Sequence, residues 1–457
     1  MLGEVAAAVG GQRLMGSAEV GIGGVSIDSR TLSPGELFVA VVGARFDGHD
    51  FVAAAAGRGA AAALVDRAIE APAGLPLVQV ADTTRALGEL AGHARRQSAA
   101  PVVAITGSVG KTTTKDMAAA LLGSLGPVLK TEGNLNNQYG LPLTLLRLRP
   151  EHRAAVLELG MSAAGELRRL AQIAQPDVAV ITRVAPVHLE FFESVEAIAA
   201  AKAEILTGLR PGGAAVLNAD DPRLRLIGQR HAGRVIWFGR DRRCEVSAEN
   251  WRGTAFGMRF DLRVAGRSVD VALPLPGPHF VENFMAAAAA AHALGVSADA
   301  MAEAAPRLKP AAHRGQLLRL GQGVVVLDDC YNASPDAVEA AAVALGMAGG
   351  RRRVAFLGDM LELGAQGPAL HRRVGQEVAT RVDVLATAGP LAAAFLEGAR
   401  AGLPATALHS FPDSAAAARG AGELVRAGDA VLVKGSRGAR MEVVVEALKS
   451  RFGLLEG

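Results

Sequence analysis

The chain has 457 residues, of which 50% are hydrophobic and only 4% are aromatic. A single hydrophobic core rarely serves so long a chain, so we expect about two to four domains with cores built mainly from Ala, Val and Leu. The 48 Lys and Arg residues nearly balance the 45 Asp and Glu residues, and this balance gives no indication of nucleic-acid binding.

The sequence indicates a cytoplasmic protein without membrane insertion. The N-terminus has no basic region followed by an apolar segment, so we expect no signal peptide. Apolar runs such as 285–291 are too short to cross a bilayer. Cys244 and Cys330 are far apart and are expected to have no metal-ligand neighbours, which favours a reducing compartment over a disulfide framework.

Residues 1–98 form the first predicted domain. Its apolar strands, such as 37–42 and 62–65, are short and bounded by Gly, Pro or Asp. Polar residues cluster at 27–31 and at 43–50, and both clusters are open to two interpretations. Asp-Ser and Asp-Gly pairs favour tight turns, which is the commoner case, but the same residues could also bind a ligand.

Residues 99–312 form the second predicted domain, which begins with a phosphate-binding loop. A buried-strand run at 102–105 leads into glycines, one lysine and several threonines, followed by a helix-forming run at 117–125. The usual pattern has a glycine where Ile105 stands, but the phosphate-facing positions are all present. Backbone N–H groups of such a loop surround an anion, which predicts an ATP site at Thr106, Gly107, Ser108, Val109, Gly110, Lys111, Thr112 and Thr113.

The rest of this domain alternates strand runs with helical stretches, which predicts a mostly parallel sheet. Alternating polar and apolar residues later in the domain predict attached antiparallel hairpins. The predicted parallel strands are 154–159, 178–181, 214–218 and 235–238, and the hairpins lie within 239–275.

Four residues of the second domain are candidates for chemistry. Glu158 ends a buried strand, and a Mg²⁺ ion shared with the phosphates would explain a buried carboxylate there. His188 and Lys202 are open to two interpretations, because a lone histidine is more often structural and a lysine in an Ala-rich helix is usually solvated. Asn283, expected at the start of a helix, either caps that helix or hydrogen-bonds a base.

Residues 313–457 form the third predicted domain, again with alternating strands and helices. Strand runs at 324–328, 354–357 and 430–433 each lead into a polar cluster, and a further strand is predicted at 384–386. Because ligands gather at the carboxyl ends of parallel strands, these clusters predict a ligand-facing edge. No phosphate-binding loop recurs, so we expect this domain to complement the ATP site.

These motifs resemble those of the Mur ligase superfamily of ATP-dependent amide-forming enzymes over nearly the whole chain. The motifs that carry the resemblance are 106–113, 158–160, His188 with Lys202, 279–283, 313–314 and 328–335. The resemblance implies an α/β protein of three domains. A small N-terminal α/β domain would bind UDP, a central domain would hold a P-loop on a parallel mononucleotide-binding sheet, and a Rossmann-like C-terminal α/β domain would complete the ATP site.

Further stretches are most similar to family members that join D-alanyl-D-alanine to UDP-N-acetylmuramoyl-tripeptide: 27–30, 47–50, 133–137, 357–364 and 434–437. The resemblance implies that ATP phosphorylates the tripeptide carboxylate and that the dipeptide amine attacks the acyl phosphate, a cytoplasmic step of peptidoglycan synthesis. It implies ATP and Mg²⁺ as cofactors, and we expect a monomer. The C-terminal domain would receive D-alanyl-D-alanine.

The resemblance also implies roles for individual residues. Lys111, His188 and a carbamoylated Lys202 would be catalytic, and the metal ligands would be Thr112, Glu158, His188 and Lys202. Besides the loop, ATP would contact Asn283, Arg314, Asp329 and Tyr331. The UDP-linked substrate would contact Ser29, Arg30, Asp47, Gly48, His49, Asn134, Asn136 and Asn137.

Several alternatives remain at this point. The family member that adds the third amino acid usually carries an Asp-Asn-Pro-Arg motif, which is absent here. Folylpolyglutamate synthase lacks a UDP-binding domain. A nucleotide-regulated switch protein would need only one metal, and a P-loop kinase would release a stable phosphoester.

Overall fold

The computed structural model describes residues 1–70, 72, 74–187, 189–254 and 257–455. His188, a predicted metal ligand and catalytic residue, lies outside the described residues. No helix within the described ranges combines the length and the apolarity that a bilayer crossing requires. By proximity of Cα atoms, residues 1–106, 125–179 and 204–213 form one compact unit, and residues 107–124, 180–203 and 214–457 form a second.

The first sheet has five strands with the order β1-β5-β4-β3-β2 and lies in the first unit. Its strands are β1 Arg13–Met15, β2 Gly24–Ser26, β3 Glu36–Val39, β4 Ala62–Val65 and β5 Leu77–Gln79, with β1 antiparallel to β5 and the other pairs parallel. The helices are α1 Leu2–Ala8, α2 Val52–Gly57 and α3 Thr83–Gln97. Leu37 and Val39 pack into one core and Phe38 and Ala40 into another, because successive side chains of a strand point to opposite faces.

Nine strands form the second sheet: β6 Val102–Thr106, β7 Val128–Lys130, β8 Ala154–Glu158, β9 Val178–Ile181, β10 Ala214–Asn218, β11 Arg234–Gly239, β12 Val246–Thr254, β13 Gly257–Val264 and β14 Arg267–Leu273. In the first unit, β8 pairs in parallel with β6 and β7. In the second unit, β10, β11 and β12 pair in parallel, and β12, β13 and β14 form the antiparallel hairpins that the alternating residues predicted.

Seven helices accompany these strands: α4 Lys111–Leu122, α5 Gly140–Leu145, α6 Glu166–Ala174, α7 Val195–Ala203, α8 Pro222–Arg230, α9 Pro278–Ala293 and α10 Ala298–Ala304. Helix α9 differs from the prediction, because it begins at Pro278 and not at Asn283. The proline ring presets the dihedral angle that a first helical residue needs, so the helix starts there. Asn283 therefore lies inside α9, and the capping interpretation is wrong.

The third sheet has six strands, β15 Gln316–Arg319, β16 Val325–Asp328, β17 Arg352–Gly358, β18 Val384–Ala388, β19 Leu408–Phe411 and β20 Asp429–Lys434, in the order β15-β16-β20-β17-β18-β19. Within the described residues, β15 is antiparallel to β16, and the other neighbouring strands of this sheet pair in parallel. The helices are α11 Pro335–Met347, α12 Gly367–Ala379, α13 Ala392–Ala399, α14 Ser414–Leu424 and α15 Glu442–Phe452.

Helices cover both faces of the third sheet. Ala355 and Leu357 of β17 pack in one core with Val374 of α12, whereas Val354 and Phe356 pack in the other with residues of α14 and α15. A strand buried on both faces reads as a continuous apolar run, which is why these strands are visible in the sequence. The predicted α/β fold with a parallel-sheet central region and a C-terminal α/β region is confirmed.

Candidate active site

The predicted phosphate-binding loop connects β6 to α4. Helix α4 begins at Lys111, and Gly110 at its N-cap has φ +86°, a left-handed value that favours glycine. Gly107 has φ +151°, and a Cβ atom there would lie 1.9 Å from the hydroxyl oxygen of Thr182. At Gly110 a Cβ atom would lie 2.2 Å from Oδ1 of Asn283. Both glycines are therefore required by close approach as well as by backbone conformation.

The segment that follows β9 holds this loop in place. The Thr182 hydroxyl donates to the Val109 carbonyl oxygen at 2.6 Å, and the Ser108 N–H donates to the Arg183 carbonyl oxygen at 2.8 Å. The Ser108 hydroxyl donates to the Ala185 carbonyl oxygen at 3.0 Å and accepts from the Ala185 N–H at 2.9 Å. Ser108 thus has a structural partner at this position, and the loop is fixed before any ligand arrives.

Two lysines in the second unit influence each other electrostatically. The Lys111 ammonium donates to the Gly107 carbonyl oxygen at 2.7 Å, which keeps the ammonium over the loop. Lys202, near the end of α7, is only 1% exposed. Burial, and secondarily repulsion by Lys111, holds the pKa of Lys202 well below its ordinary value. A lysine in such surroundings supplies a neutral amine more readily than a solvated lysine does, so the solvated-face interpretation of Lys202 is wrong.

Glu158 ends β8 in the first unit and is 3% exposed. The side-chain amide of Asn136 donates to its Oε1 at 2.9 Å, and the Thr131 hydroxyl accepts from its backbone N–H at 3.0 Å. A buried carboxylate presented on a rigid strand end is the hard oxygen ligand that Mg²⁺ prefers, so Glu158 fits a metal-ligand role.

The three predicted substrate asparagines differ in their surroundings. Asn136 contacts Glu158 as described, and its backbone oxygen accepts from the Gly160 N–H at 2.8 Å. The Asn137 side chain accepts from the N–H groups of residues 139 and 140 at 3.1 and 3.0 Å, at the start of α5. Asn134 is exposed.

The predicted UDP-contact residues lie on two turns of the first unit. Arg30 forms a two-pronged ion pair with Asp28, at 2.7 and 2.9 Å, and leaves 86% of its side chain exposed. Ser29 is 8% exposed. Since Asp28 and Arg30 bond to each other across one residue, this stretch is a turn whose exposed side can still meet a ligand.

The second turn is tightly bonded. His49 is buried, and its Nδ1 lies 2.7 Å from Asp47 while its Nε2 accepts from the Asp66 N–H at 3.2 Å. Hydrogen bonds from His49 and Arg67 hold the pKa of the Asp47 carboxyl below its ordinary value. At Gly48 a Cβ atom would lie 2.6 Å from the Val41 nitrogen. The His49 side chain therefore stabilises the turn, and the backbone of the turn is the part that could contact a ligand.

The remaining predicted ATP residues meet at the carboxyl end of β16. The guanidinium of Arg314 lies 3.9 Å from the ring centre of Tyr331, and that of Arg437 lies 5.6 Å from it. Asp329 pairs with Lys434, at the end of β20, at 2.5 Å. Burial raises the pKa of Asp329 even though Lys434 opposes that change. The structure thus places Arg314 against Tyr331, and Asp329 against Lys434, at this strand end, and the ATP contacts of these residues stay a prediction.

The sequence assigned no role to several residues that shape the site. Thr182 and Lys434 belong here: both lie at strand ends, and Lys434 also begins the 434–437 stretch that carries the family resemblance. Cys330 is a correction: its Sγ atom, His313 and Asp328 offer donor atoms that all lie within 4.8 Å of one another. The expectation that Cys330 has no metal-ligand neighbours is wrong for the folded structure, because His313 lies beside the end of β16 there.

The fold and the loop define a nucleotide-binding α/β protein of the P-loop class. Three models of Mur ligase domains match the chain: the family's catalytic domain over residues 21–95, the middle domain over 105–291 and the glutamate ligase domain over 313–437. The UDP-N-acetylmuramoyl-tripeptide–D-alanyl-D-alanine ligase of Escherichia coli strain K12 is 39% identical over 439 residues, which cover 94% of this chain and 95% of that one. The chain belongs to the Mur ligase family.

Solved structures agree with this membership. A crystal structure of MurF from Acinetobacter baumannii superposes with a TM-score of 0.91 at 34% identity and covers 98% of each chain. The MurF ligase of Thermotoga maritima, solved in complex with ADP, gives a TM-score of 0.84 at 30% identity and covers 94% of this chain and 97% of that one.

Proposed function

We propose that this protein is an ATP-dependent ligase that joins D-alanyl-D-alanine to UDP-N-acetylmuramoyl-tripeptide in peptidoglycan precursor synthesis. The observation that carries the proposal is the full-length match to the Escherichia coli ligase of that activity. The phosphate-binding loop and the parallel strand ends agree with it, because an ATP-dependent ligase must hold the phosphates rigidly while the carboxylate attacks.

The chemistry follows from the poor reactivity of a carboxylate toward amines. A carboxylate oxygen of the tripeptide attacks the γ-phosphorus of ATP, which forms an acyl phosphate and releases ADP. The free amine of D-alanyl-D-alanine then attacks the acyl carbon, the tetrahedral intermediate expels phosphate, and the nitrogen loses a proton to give the amide. The loop amides and Lys111 would hold the phosphates, and α4 would point its N-terminus at them.

We propose Thr112, Glu158, His188 and Lys202 as the metal ligands. Mg²⁺, when bound, screens the negative charge of the phosphates that the carboxylate must approach. Glu158 supports this assignment because its carboxylate is buried and oriented by Asn136. Asn136 would then act on the reaction indirectly, by orienting the Glu158 carboxylate.

We propose that Lys202 is carbamoylated. Its neutral amine would add carbon dioxide, forming a nitrogen–carbon bond and releasing one proton, and the product is an anion able to ligate a cation. The lowered pKa of Lys202 supports this step, because only the neutral amine reacts with carbon dioxide.

The three regions would divide the substrates between them. Residues 1–98 would bind the UDP-linked substrate through Ser29, Arg30, the 47–49 turn and the asparagines of the following domain. Residues 99–312 would bind ATP, with Asn283 at the base, and residues 313–457 would add Arg314, Asp329 and Tyr331 and receive D-alanyl-D-alanine. We further propose a monomer that acts in the cytoplasm.

The test is phosphate release from ATP by the purified full-length protein, with each substrate omitted in turn. We expect release to require both the UDP-muramoyl tripeptide and D-alanyl-D-alanine. Release with a UDP-muramoyl dipeptide and a single amino acid would instead identify the ligase of the preceding step, and release that ignores the amine would favour a kinase or a switch protein.

A pair of lysine variants tests the carbamate in the same assay. Lys202→Ala should lose activity and regain part of it with a short-chain carboxylic acid, which replaces the missing anion. Lys309→Ala, at an exposed lysine, is the matched control and should behave as the unmodified protein does. Loss at Lys202 without any rescue would argue against a carbamate.

A further inference from the structure

Three side chains of different chemistry converge on the carboxyl end of β16. Asp328 is 1% exposed and Cys330 is also 1% exposed. The Asp328 Oδ2 atom lies 2.8 Å from His313 Nδ1, and the Cys330 thiol donates to Asp328 Oδ1 at 3.0 Å. A carboxylate only accepts hydrogen bonds, so both the imidazole Nδ1 and the thiol carry hydrogen.

The same three side chains could also bind a metal ion. The separations of their donor atoms favour a hydrogen-bonded network over a metal site. Zinc bonds of about 2.0–2.3 Å in tetrahedral geometry hold neighbouring donor atoms roughly 3.3–3.8 Å apart. Two of the three observed separations, at 2.8 Å and 3.0 Å, are hydrogen-bond distances and are too short for neighbouring zinc ligands, whereas the third, from Cys330 Sγ to His313 Nδ1, is 3.6 Å. Burial, reinforced by Asp328, also raises the pKa of the Cys330 thiol, which disfavours the thiolate that a metal would need. The cluster is therefore a hydrogen-bonded network.

This network connects two segments that are distant in the sequence. His313 precedes β15, and its φ of +60° is a left-handed value that is uncommon outside glycine. The His313 carbonyl oxygen accepts from the Tyr331 N–H at 3.0 Å, so the two segments are also joined through their backbones. The side-chain bonds to Asp328 give the strained His313 conformation its support.

Each member of the network is next to a proposed nucleotide contact. His313 precedes Arg314, and Cys330 lies between Asp329 and Tyr331. The Arg314 guanidinium lies 3.9 Å from the Tyr331 ring centre, so a shift of either segment would separate the pair.

We infer that His313, Asp328 and Cys330 are positioning residues that hold Arg314 and Tyr331 in the stacked arrangement that the nucleotide meets. The inference rests on the proposed function, because it assumes that these two residues contact ATP. It adds a second device to the nucleotide site: the phosphate loop is held by hydrogen bonds to the segment after β9, whereas the Arg314–Tyr331 pair is held by the His313–Asp328–Cys330 network.

The test measures the dissociation constant of a non-hydrolysable ATP analogue by calorimetry for the full-length protein and its variants. Asp328→Asn keeps the shape but cannot accept both hydrogen bonds, so we expect binding to weaken about tenfold, as for loss of one charge-assisted hydrogen bond. Cys330→Ala should weaken binding less, and Cys330→Ser should restore binding relative to Cys330→Ala because a hydroxyl also donates.

Two comparisons separate positioning from general destabilisation. Thr387→Val removes another buried side-chain hydrogen bond of the third sheet, from Thr387 to the Ala392 carbonyl oxygen at 3.1 Å, and should lower the melting temperature without weakening nucleotide binding. The affinity for the UDP-muramoyl tripeptide should stay constant in all variants, because that site is proposed on the first unit. If Asp328→Asn does not fold, Cys330→Ala and Cys330→Ser carry the test alone.

Three results would overturn the inference. Equal analogue affinity in the unmodified protein, Asp328→Asn and Cys330→Ala would show that the network does not position the contacts. Parallel loss of nucleotide and UDP-substrate affinity would show a general structural role. Loss of binding in Cys330→Ser together with zinc in the purified protein would show a metal site. An unmodified protein that binds no nucleotide would instead refute the proposed function itself.

Discussion

The phosphate-binding loop and the Arg314–Tyr331 pair serve the same proposed ligand but are built in different ways. The loop is a continuous stretch whose shape depends on glycines and on hydrogen bonds to the segment after β9, in which the Thr182 and Ser108 hydroxyls take part. The pair is assembled from two segments and depends on side chains, with Asp328 buried behind it. The loop therefore tolerates no added atoms at its glycines, and the pair tolerates little change in the chemistry of the side chains that support it.

Positions within the loop also differ in what they require. Val109 takes part through its carbonyl oxygen, which accepts from Thr182, and any residue supplies a carbonyl. Gly107 has no room for even one more carbon atom. Mutations can therefore test the comparison by adding atoms to the first region and by removing chemistry from the second.

The largest effect is expected at Gly107. Gly107→Ala places a Cβ atom 1.9 Å from the Thr182 hydroxyl oxygen and must displace either the loop or the segment after β9. Because a displacement of about 1 Å at a reacting group reduces the rate roughly a hundredfold, we expect kcat/KM for ATP to fall at least that far. The measurement is steady-state phosphate release.

Gly123→Ala is the control for that variant. Gly123 directly follows α4, has an ordinary helical φ of −57°, and would bring its Cβ atom to no heavy atom within 4 Å. We expect unchanged kinetics, and similar losses in both variants would contradict the view that close approach limits the loop.

The next largest effect is expected at Asn136. Asn136→Ala removes the donor to Glu158 Oε1, so the carboxylate loses part of its orientation. Loss of such a supporting hydrogen bond typically costs about 10- to 100-fold in metal affinity, and we expect the Mg²⁺ concentration for half-maximal activity to rise accordingly. The exposed Gln138→Ala is the control in the same loop. A lower kcat with an unchanged Mg²⁺ requirement would favour a direct substrate contact by Asn136.

A smaller effect is expected at Tyr331. Tyr331→Leu removes the ring on which Arg314 stacks, and a cation–π contact of about 0.5–2 kcal/mol corresponds to roughly a 2- to 30-fold weaker affinity for an ATP analogue. Tyr331→Phe retains the ring and should bind nearly as the unmodified protein does. If Phe and Leu weaken binding equally, the hydroxyl group and not the stacked ring makes the contact.

The fold could be predicted from the sequence wherever burial leaves a local pattern. Strands covered on both faces, such as 178–181 and 214–218, appear as uninterrupted apolar runs, and the observed strands β9 and β10 have the predicted bounds. The start of α9 was placed wrongly, because the prediction followed the motif around Asn283 and gave too little weight to Pro278 as a first helical residue.

The candidate site could be predicted only in part, since its contacts are not all local. The loop from Thr106 to Thr113 is continuous, so its spacing is visible in the sequence. The bond between Asp328 and His313 spans 15 residues, and that between Lys434 and Asp329 spans 105 residues. A single sequence carries no signal for such pairs beyond their position at strand ends, and the roles of individual site residues remain predictions.

Lys202 in its uncarbamoylated form gives the last prediction, which concerns stability and not catalysis. Burial and Lys111 lower its pKa in the folded protein, so between the folded and unfolded pKa values the unfolded chain binds more protons and stability rises with pH. Lys202→Met removes this dependence. The variant should therefore be more stable than the unmodified protein at low pH, and this difference should shrink as the pH rises toward the pKa of Lys202 in the unfolded chain. The slope of unfolding free energy against pH should fall by at most about 1.4 kcal/mol per pH unit. Urea denaturation at pH 7 and pH 9.5 measures it, with the exposed Lys309→Met as control. A variant that is less stable at both pH values would show that an interaction of Lys202 compensates for its burial. Mass spectrometry of the purified protein would then show whether a carbamate on Lys202 is the reason.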